Sequence, residues 1–230
     1  MATLYGLGVG PGDPELMTLK AVRLIQECDI IAVPKSGQSI NVAYTIAKKA
    51  VPDFEQKHIV ELDLPMTRDQ QKLEQSHEAA AKQVTDWLDE GKNVAFLTLG
   101  DPTIYSTYAY IHKLVKGKGY PTEIVPGIPS FCAVSARLND SLTEAEEELH
   151  VIPASYTGVE EALNLRGTKV LMKSGKSISE IKQLLKKKPD QFTVKMVERC
   201  GMEGERVFDS IDQIDENASY FSVIIVREKK

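Results

Sequence analysis

Leu4-Tyr5-Gly6-Leu7-Gly8-Val9-Gly10-Pro11-Gly12-Asp13 opens a stretch that runs through Thr18, Leu19, Val22, Leu24 and Ile25 to Asp29-Ile30-Ile31-Ala32-Val33. Leu4 to Val9 is apolar with interspersed glycines, and Gly10-Pro11-Gly12-Asp13 breaks the run. Thr18 can cap an amphipathic helix, and a second short apolar run follows it. Strand, helix and strand within about thirty residues make one βαβ unit, whose crossover helix covers one face of a parallel sheet. The chain is therefore α/β.

The alternation continues outward from this unit. His58 to Leu62 reads as a strand, and a helix follows from Asp69 to Glu90 with Leu73, Ala80, Ala81, Val84, Trp87 and Leu88 on one face. Gly91 ends it, then come a strand at Asn93 to Leu99, a helix ending near Gly117, and a strand at Thr122 to Val125. From Pro126 the pattern restarts with a helix over Ser130 to Leu138 and an acidic segment, Glu144 to Glu148. Strands follow at His150–Pro153, Lys169–Lys173, Phe192–Arg199 and Tyr220–Val226. The last two are separated by turn-like residues, including Gly201 and Gly204, so part of this second sheet is expected to be antiparallel. Two α/β domains are expected, 1–126 and 127–230, with a mainly parallel first sheet and a mixed second one.

Composition narrows the class. With 42% hydrophobic and 27% charged residues the chain is an ordinary folded protein, and 28 Lys+Arg against 33 Asp+Glu leave a net charge of −5. That balance offers no broad positive field for nucleic acid or an anionic membrane, so an acidic ligand would need a local basic pocket. Cys28, Cys132 and Cys200 are widely spaced without a CxxC, which points to reduced thiols rather than disulfides or a thiolate metal site. The chain shows no leader-like start and no long apolar span, so a cytoplasmic location is expected.

Four short patterns compete for the chemistry. Gly6, Gly8, Gly10 and Gly12 alternate at the end of the first strand, where a backbone without Cβ atoms can approach a ligand. A dinucleotide fingerprint fits poorly. Asp13 stands where its third glycine belongs, Pro11 removes an amide, and the second strand ends in Val33-Pro34-Lys35 rather than an acid. Gly175-Lys176-Ser177 mimics the end of a phosphate loop, but Val170 stands where that loop's first glycine should be, so a plain strand-to-helix turn is expected.

Gly100-Asp101-Pro102 follows the apolar strand, putting a carboxylate on the edge where open α/β sheets bind ligands. Asp101 could equally cap a helix with Pro102 at its first position. Pro126-Gly127-Ile128-Pro129-Ser130 forms another such turn, with Ser130 able to cap a helix or meet a ligand. If the sheet is mainly parallel, the turns after strands one, four and five converge on one crevice. His58, His77, His112 and His150 show no ligand spacing, and neither a metal site nor a covalent nucleophile is announced. Alignment of two bound reactants fits better than hydrolysis.

Gly6 to Asp13, Gly100-Asp101-Pro102-Thr103-Ile104-Tyr105, Val125 to Ser130 and Glu198-Arg199-Cys200-Gly201 together resemble the tetrapyrrole (corrin/porphyrin) methylases, in order from residue 3 to residue 227. The resemblance implies a two-domain homodimer that binds S-adenosylmethionine in the cleft between domains, with the tetrapyrrole in a trough beside Gly8 and Gly10. Cofactor contacts would fall on Pro11, Leu99, Gly100, Asp101, Ile104, Tyr105, Pro129 and Ser130. In the second half they would fall on Met172, Lys173 and the backbone of Cys200. Asp101 and Tyr105 would be the residues at the reaction itself. Pro129 replaces the Ser or Thr of many members, and Ser106-Thr107 replaces a glycine that often follows Tyr105.

Within the family, Tyr105-Ser106-Thr107-Tyr108, Leu64-Pro65-Met66-Thr67-Arg68-Asp69 and the late Glu198 block most resemble the precorrin-2 and cobalt-factor II C-20 methyltransferases of cobalamin biosynthesis. Thr67 with Gln70 also makes a capping box, which would explain the second block without a substrate. The acceptor's carboxylates would need cations, for which Lys35, Arg68, Lys173, Lys176 and Arg199 are candidates. A family member acting at another ring carbon and a nucleotide-binding oxidoreductase are the alternative readings.

Overall fold

A computed structural model describes residues 1–35, 41–155 and 158–229, apart from the side chain of Lys176. The chain divides into two compact units, Met1–Pro129 and Ser130–Lys230. The first unit alternates β1 (Leu4–Gly8), α1 (Leu19–Glu27), β2 (Ile30–Lys35), α2 (Val42–Ala50), β3 (His58–Asp63), α3 (Gln70–Asp89), β4 (Val94–Thr98), α4 (Tyr108–Gly117) and β5 (Thr122–Val125). Its strands stand in the order β3-β2-β4-β1-β5, all parallel.

That order dictates where the helices go. The connections β1 to β2 and β2 to β3 step one way across the sheet, and β3 to β4 and β4 to β5 step the other. Right-handed crossovers must therefore put α1 and α2 on one face and α3 and α4 on the opposite face. The cores divide in this way. Ala21, Leu24, Ile46 and Ala47 pack with Leu7, Val33, Ala95 and Leu97, while Ala80, Val84, Ile111 and Val115 pack with Leu4, Ala32, Val94 and Phe96. Alternate residues of each strand serve opposite layers, as the pleat requires. The onward connections of β1 and β4, which are neighbours, diverge, so the sheet's switch point lies between their carboxyl ends.

The second unit begins with α5 (Ser130–Arg137) and continues through β6 (Leu149–Pro153), α6 (Val159–Leu163), β7 (Thr168–Met172), α7 (Ile178–Lys186), β8 (Phe192–Glu198), β9 (Arg206–Phe208) and β10 (Ser222–Glu228). Its order is β6-β7-β10-β8-β9, with β6 and β7 parallel and the other pairs antiparallel. Because β7 and β8 are both antiparallel to β10, the carboxyl ends of β6, β7 and β8 share one edge. Val159, Leu163, Ile181 and Leu185 cover one face over Leu171, Met196 and Ile224.

The expected fold class is found, with differences of detail, among them the short helix α6 between β6 and β7. A helix over Val42–Ala50 was not anticipated; Asn41 caps it, its side chain accepting from the Tyr44 amide at 3.0 Å. A short strand, β9, lies inside the turn-like stretch after β8. The N-cap of α3 is Asp69, which accepts from Lys72 N at 3.2 Å, so the Thr67–Gln70 capping box does not form. Thr67 Oγ1 instead accepts from Asp69 N at 3.1 Å. Cys28 lies in the apolar layer under α1, where burial pushes its thiol up to about 12.

On the face opposite α7, Asp140 accepts from Arg227 Nη1 at 3.1 Å and from Lys195 Nζ at 3.3 Å. Burial works against its charge, but these cations outweigh it and hold the carboxyl below its ordinary value. A folded-state value below the unfolded one gives stability that is complete above about pH 4 and vanishes as pH falls through the folded value. Asp140→Asn is expected to lower the melting temperature at pH 7 by at most about 3 °C. It should also flatten the loss of stability between about pH 5 and pH 2 in thermal melts. An unchanged acid slope would refute this role.

Candidate active site

The turns after β1, β4 and β5 meet backbone to backbone. Beyond the strands, Val9 N donates to Thr98 O at 3.0 Å, and Gly10 and Gly100 exchange two hydrogen bonds of 3.3 and 2.8 Å. Both glycines have left-handed backbones, φ +76° and +72°, which most side chains resist. A Cβ on Gly8 would lie 2.5 Å from Gly127 N, and one on Gly127 would lie 2.2 Å from Gly100 O. Each glycine is required by a neighbouring main chain. The gap at Gly8 is thus filled by Gly127.

Asp101, only 7% exposed, ties this junction together. Its Oδ1 accepts from Thr103 N at 2.7 Å and from the Thr103 hydroxyl, and its Oδ2 accepts from Gly127 N at 3.0 Å. The helix-cap alternative is excluded, because α4 starts only at Tyr108 after a turn over 102–105. The convergence expected from the sequence is present. Pro11 is buried, Leu99 packs against the α1–α2 layer, and Ile104, Pro129 and Ser130 are half-buried. Tyr105 is 44% exposed and held at φ +49°. A non-glycine residue in that region carries strain that the surrounding structure must hold in place, a frequent mark of functional positions.

The cations proposed for an acidic acceptor differ in availability. Lys35 Nζ lies 2.7 Å from Glu61 on the adjacent strand, and that hydrogen bond and charge raise its pKa. Arg68, in the loop after β3, is exposed and has no ion pair among the described residues. Both sit toward the carboxyl edge of the parallel sheet.

In the second unit, Lys173 and Arg199 are the residues immediately after β7 and β8, at the shared edge, with φ +55° and +54°. Burial pushes the Lys173 amine below its ordinary value. Met172 is the last residue of β7, and Cys200 lies in the turn after β8. A Cβ on Gly175 would lie 3.4 Å from Tyr220 Cα, so the turn after β7 packs on the chain that leads to β10. Ser174 is fully buried, and its Oγ, with Arg199 Nε, finds no protein partner among the described residues. Sequence reading missed Ser174, since an unpaired buried hydroxyl leaves no local signature. The side chain of Lys176 lies outside the described residues.

Two decoys also resolve. Asp13 caps a short 3₁₀ turn, Pro14–Leu16, accepting from Glu15 N at 2.9 Å, and α1 starts at Leu19 behind the Thr18 cap. The glycine-rich turn therefore does not open directly onto a helix N-terminus, as a dinucleotide site requires. Gly175–Ser177 is a single 3₁₀ turn between β7 and α7. Among the described residues no three His, Cys, Asp or Glu side chains gather as a metal would need, and no helix is long and apolar enough to cross a membrane.

Fold and turns define a doubly wound α/β protein whose switch-point loops are locked together at the carboxyl edge, where such folds take their ligands. The model of the tetrapyrrole (corrin/porphyrin) methylases matches residues 3–215. The chain is 38% identical over 232 residues to a probable cobalt-precorrin-2 C(20)-methyltransferase of Methanocaldococcus jannaschii, covering 99% of this chain and 96% of that protein. It is 31% identical over 237 residues to the cobalt-precorrin-2 C(20)-methyltransferase of Salmonella typhimurium, covering 98% and 96%. It superposes with a TM-score of 0.71 and 19% identity on uroporphyrin-III C-methyltransferase of Thermus thermophilus complexed with S-adenyl homocysteine, covering 98% and 97%. The chain belongs to the tetrapyrrole methylases and is a methyltransferase of that family.

The junction makes a sharp prediction. Gly127→Ala should cost about 1–3 kcal/mol or prevent folding, since the new methyl meets only backbone. Gly117→Ala, with nothing within 4 Å, should be neutral or slightly stabilising. Urea unfolding of the two variants checks this, and equal stabilities would refute the packing argument.

Proposed function

We propose that the protein transfers a methyl group from S-adenosylmethionine to the C-20 meso carbon of precorrin-2 or cobalt-factor II. Support comes from similarity along the whole chain to C(20)-methyltransferases, together with the three locked turns and the strained Tyr105 at one sheet edge. The resemblance extends the reading to a cytoplasmic homodimer.

The residues present suit the cofactor. A zwitterionic nucleoside needs backbone donors and acceptors and a few hydroxyls more than net charge. The junction supplies such a backbone surface, and the second unit offers the buried Ser174 hydroxyl and Arg199 Nε. We assign the cofactor to Pro11, Leu99, Gly100, Asp101, Ile104, Tyr105, Pro129 and Ser130 in the first unit, and to Met172, Lys173 and Cys200 in the second.

When bound, S-adenosylmethionine supplies an electrophilic methyl on a sulfonium. The acceptor's electron-rich carbon is its own nucleophile, so the protein's work is alignment and exclusion of water. Asp101 holds the turns after β4 and β5 in register, and Tyr105 borders the place of transfer. Arg68 is the cation best placed to take an acceptor carboxylate without first breaking an ion pair, whereas Lys35 must leave Glu61.

Carbon NMR of the product formed from labelled cofactor and either acceptor should show one methyl at C-20. Label at another ring carbon rejects this branch, and no transfer despite cofactor binding rejects a tetrapyrrole acceptor. Asp101→Ala should abolish binding of S-adenosylhomocysteine while unfolding stays cooperative, at a stability cost of about 1–3 kcal/mol for the donors left unpaired. Unchanged affinity in calorimetry would remove Asp101 from the site. Arg68→Ala should raise the acceptor KM roughly tenfold with cofactor KM unchanged, a shift corresponding to one lost charge-assisted hydrogen bond.

A further inference from the structure

Glu198 is the last residue of β8, lies opposite Arg206 in the register, and is 4% exposed. Its Oε1 accepts from Ser219 N at 2.6 Å, and its Oε2 accepts from Arg206 Nε at 2.6 Å. Arg206 reaches on through Nη1 to Asp215 at 2.8 Å. One carboxylate thus joins the end of β8, the start of β9 and the segment that leads into β10.

Two turns hang from this clamp. Arg199, next in the chain, is left-handed and donates its amide to Phe221 O at 2.9 Å, and Met202 N returns to Arg199 O at 2.8 Å. From the other side, Gly201 N donates to Glu205 Oε2 at 2.7 Å. Cys200 sits between these anchors. The second turn, Lys173 to Gly175, packs against Ser219 and Tyr220, whose place is set by the Ser219 amide on Glu198.

We propose that Glu198 is a positioning residue for the cofactor. Through Ser219 and Arg206 it presets both second-unit turns, after β7 and after β8, to which the function proposed above assigns cofactor contacts, and it does so without touching the cofactor. The inference rests on that reading. Burial would raise the pKa of Glu198, yet the hydrogen bonds from Arg206 and Ser219 hold it below its ordinary value, so the clamp is charged at neutral pH. The Arg206 end of the pair is exposed to solvent, and an ion pair of that kind contributes little stability, which favours a geometric role at this strand end.

Glu198→Gln keeps the shape but turns an NH₂ toward one of two donors, so one hydrogen bond must be lost. Calorimetry with S-adenosylhomocysteine and steady-state kinetics on the full chain should show dissociation constant and cofactor KM raised roughly tenfold, with kcat and acceptor KM little changed. Arg206→Lys should show a smaller shift of the same kind. Asp140→Asn, which breaks an ion-pair cluster of the same unit away from these turns, should lower thermal stability and leave cofactor affinity intact. Wild-type affinity in Glu198→Gln would overturn the inference, as would equal loss in Asp140→Asn. If Glu198→Gln does not fold, Asp215→Asn, whose Oδ1 can still accept from Asn217 N while its NH₂ loosens the far end of Arg206, takes its place, and an unchanged cofactor KM there overturns the inference. An unsubstituted chain that fails to bind S-adenosylhomocysteine refutes the cofactor reading itself and this inference with it, whereas normal binding by both chains refutes the inference alone.

Discussion

Three main chains pass one another at Gly8, Gly100 and Gly127, too closely for a Cβ on Gly8 or Gly127, and a single buried carboxylate, Asp101, binds two of them together. The arrangement of the turns after β1, β4 and β5 depends on this contact. Parallel strands β4, β1 and β5 bring their ends side by side, but strand pairing stops at the last residue of each. The Gly10–Gly100 hydrogen bonds and the Asp101–Gly127 bond carry the order a few residues further, into the turns. Glycine removes the side chains that would hold the turns apart, and aspartate supplies acceptors for the amides left exposed by their irregular backbone. A surface made this way presents backbone polar groups at fixed positions, as suits a reaction governed by alignment.

Strain is distributed in the same sense. Tyr105, Lys173 and Arg199 occupy left-handed conformations, each costing about 1–3 kcal/mol, and each follows closely on the end of a strand. The cost is sustained because the flanking groups are over-determined. Tyr105 sits in the turn fastened by Asp101, and Arg199 sits between hydrogen bonds to Phe221 and from Met202. Rigid turns on short, well-paired strands are a general way to hold a ligand without committing a nucleophile or a metal.

Charge is handled locally. The chain carries a net −5 and belongs to a family named for tetrapyrrole rings, so any acidic groups on a ligand must be met locally. Some cations near the strand ends are already matched, as Lys35 is by Glu61 and Arg206 by Glu198 and Asp215. An acceptor carboxylate gains most from a cation without an internal partner, since displacing an existing ion pair returns little net energy. Net charge at the level of the whole chain therefore says less about the ligand than the pairing of individual residues does.

The sequence alone determined the class of fold, because period-2 and period-3.6 hydrophobic patterns, with glycine and proline at the breaks, are local properties of β1, α1, β2, α3 and β4. It also determined the family, because Gly6 to Asp13, Gly100 to Tyr105 and Val125 to Ser130 occur together and in order. It could not separate the uses of Asp101, since a cap and a loop tie have the same residue in the same short context. The start of α4 at Tyr108 removes the cap, and the Gly127 amide shows the tie. The α2 helix escaped notice, and the Thr67–Gln70 pair misled, because Asp69 competes for the same helix end. What only the tertiary structure decided was which long-range groups meet: Gly8 with Gly127, Glu198 with Ser219, and Lys35 with Glu61. Such contacts depend on strand order and register, which are set by the packing of the whole sheet and leave no mark in either residue's own neighbourhood.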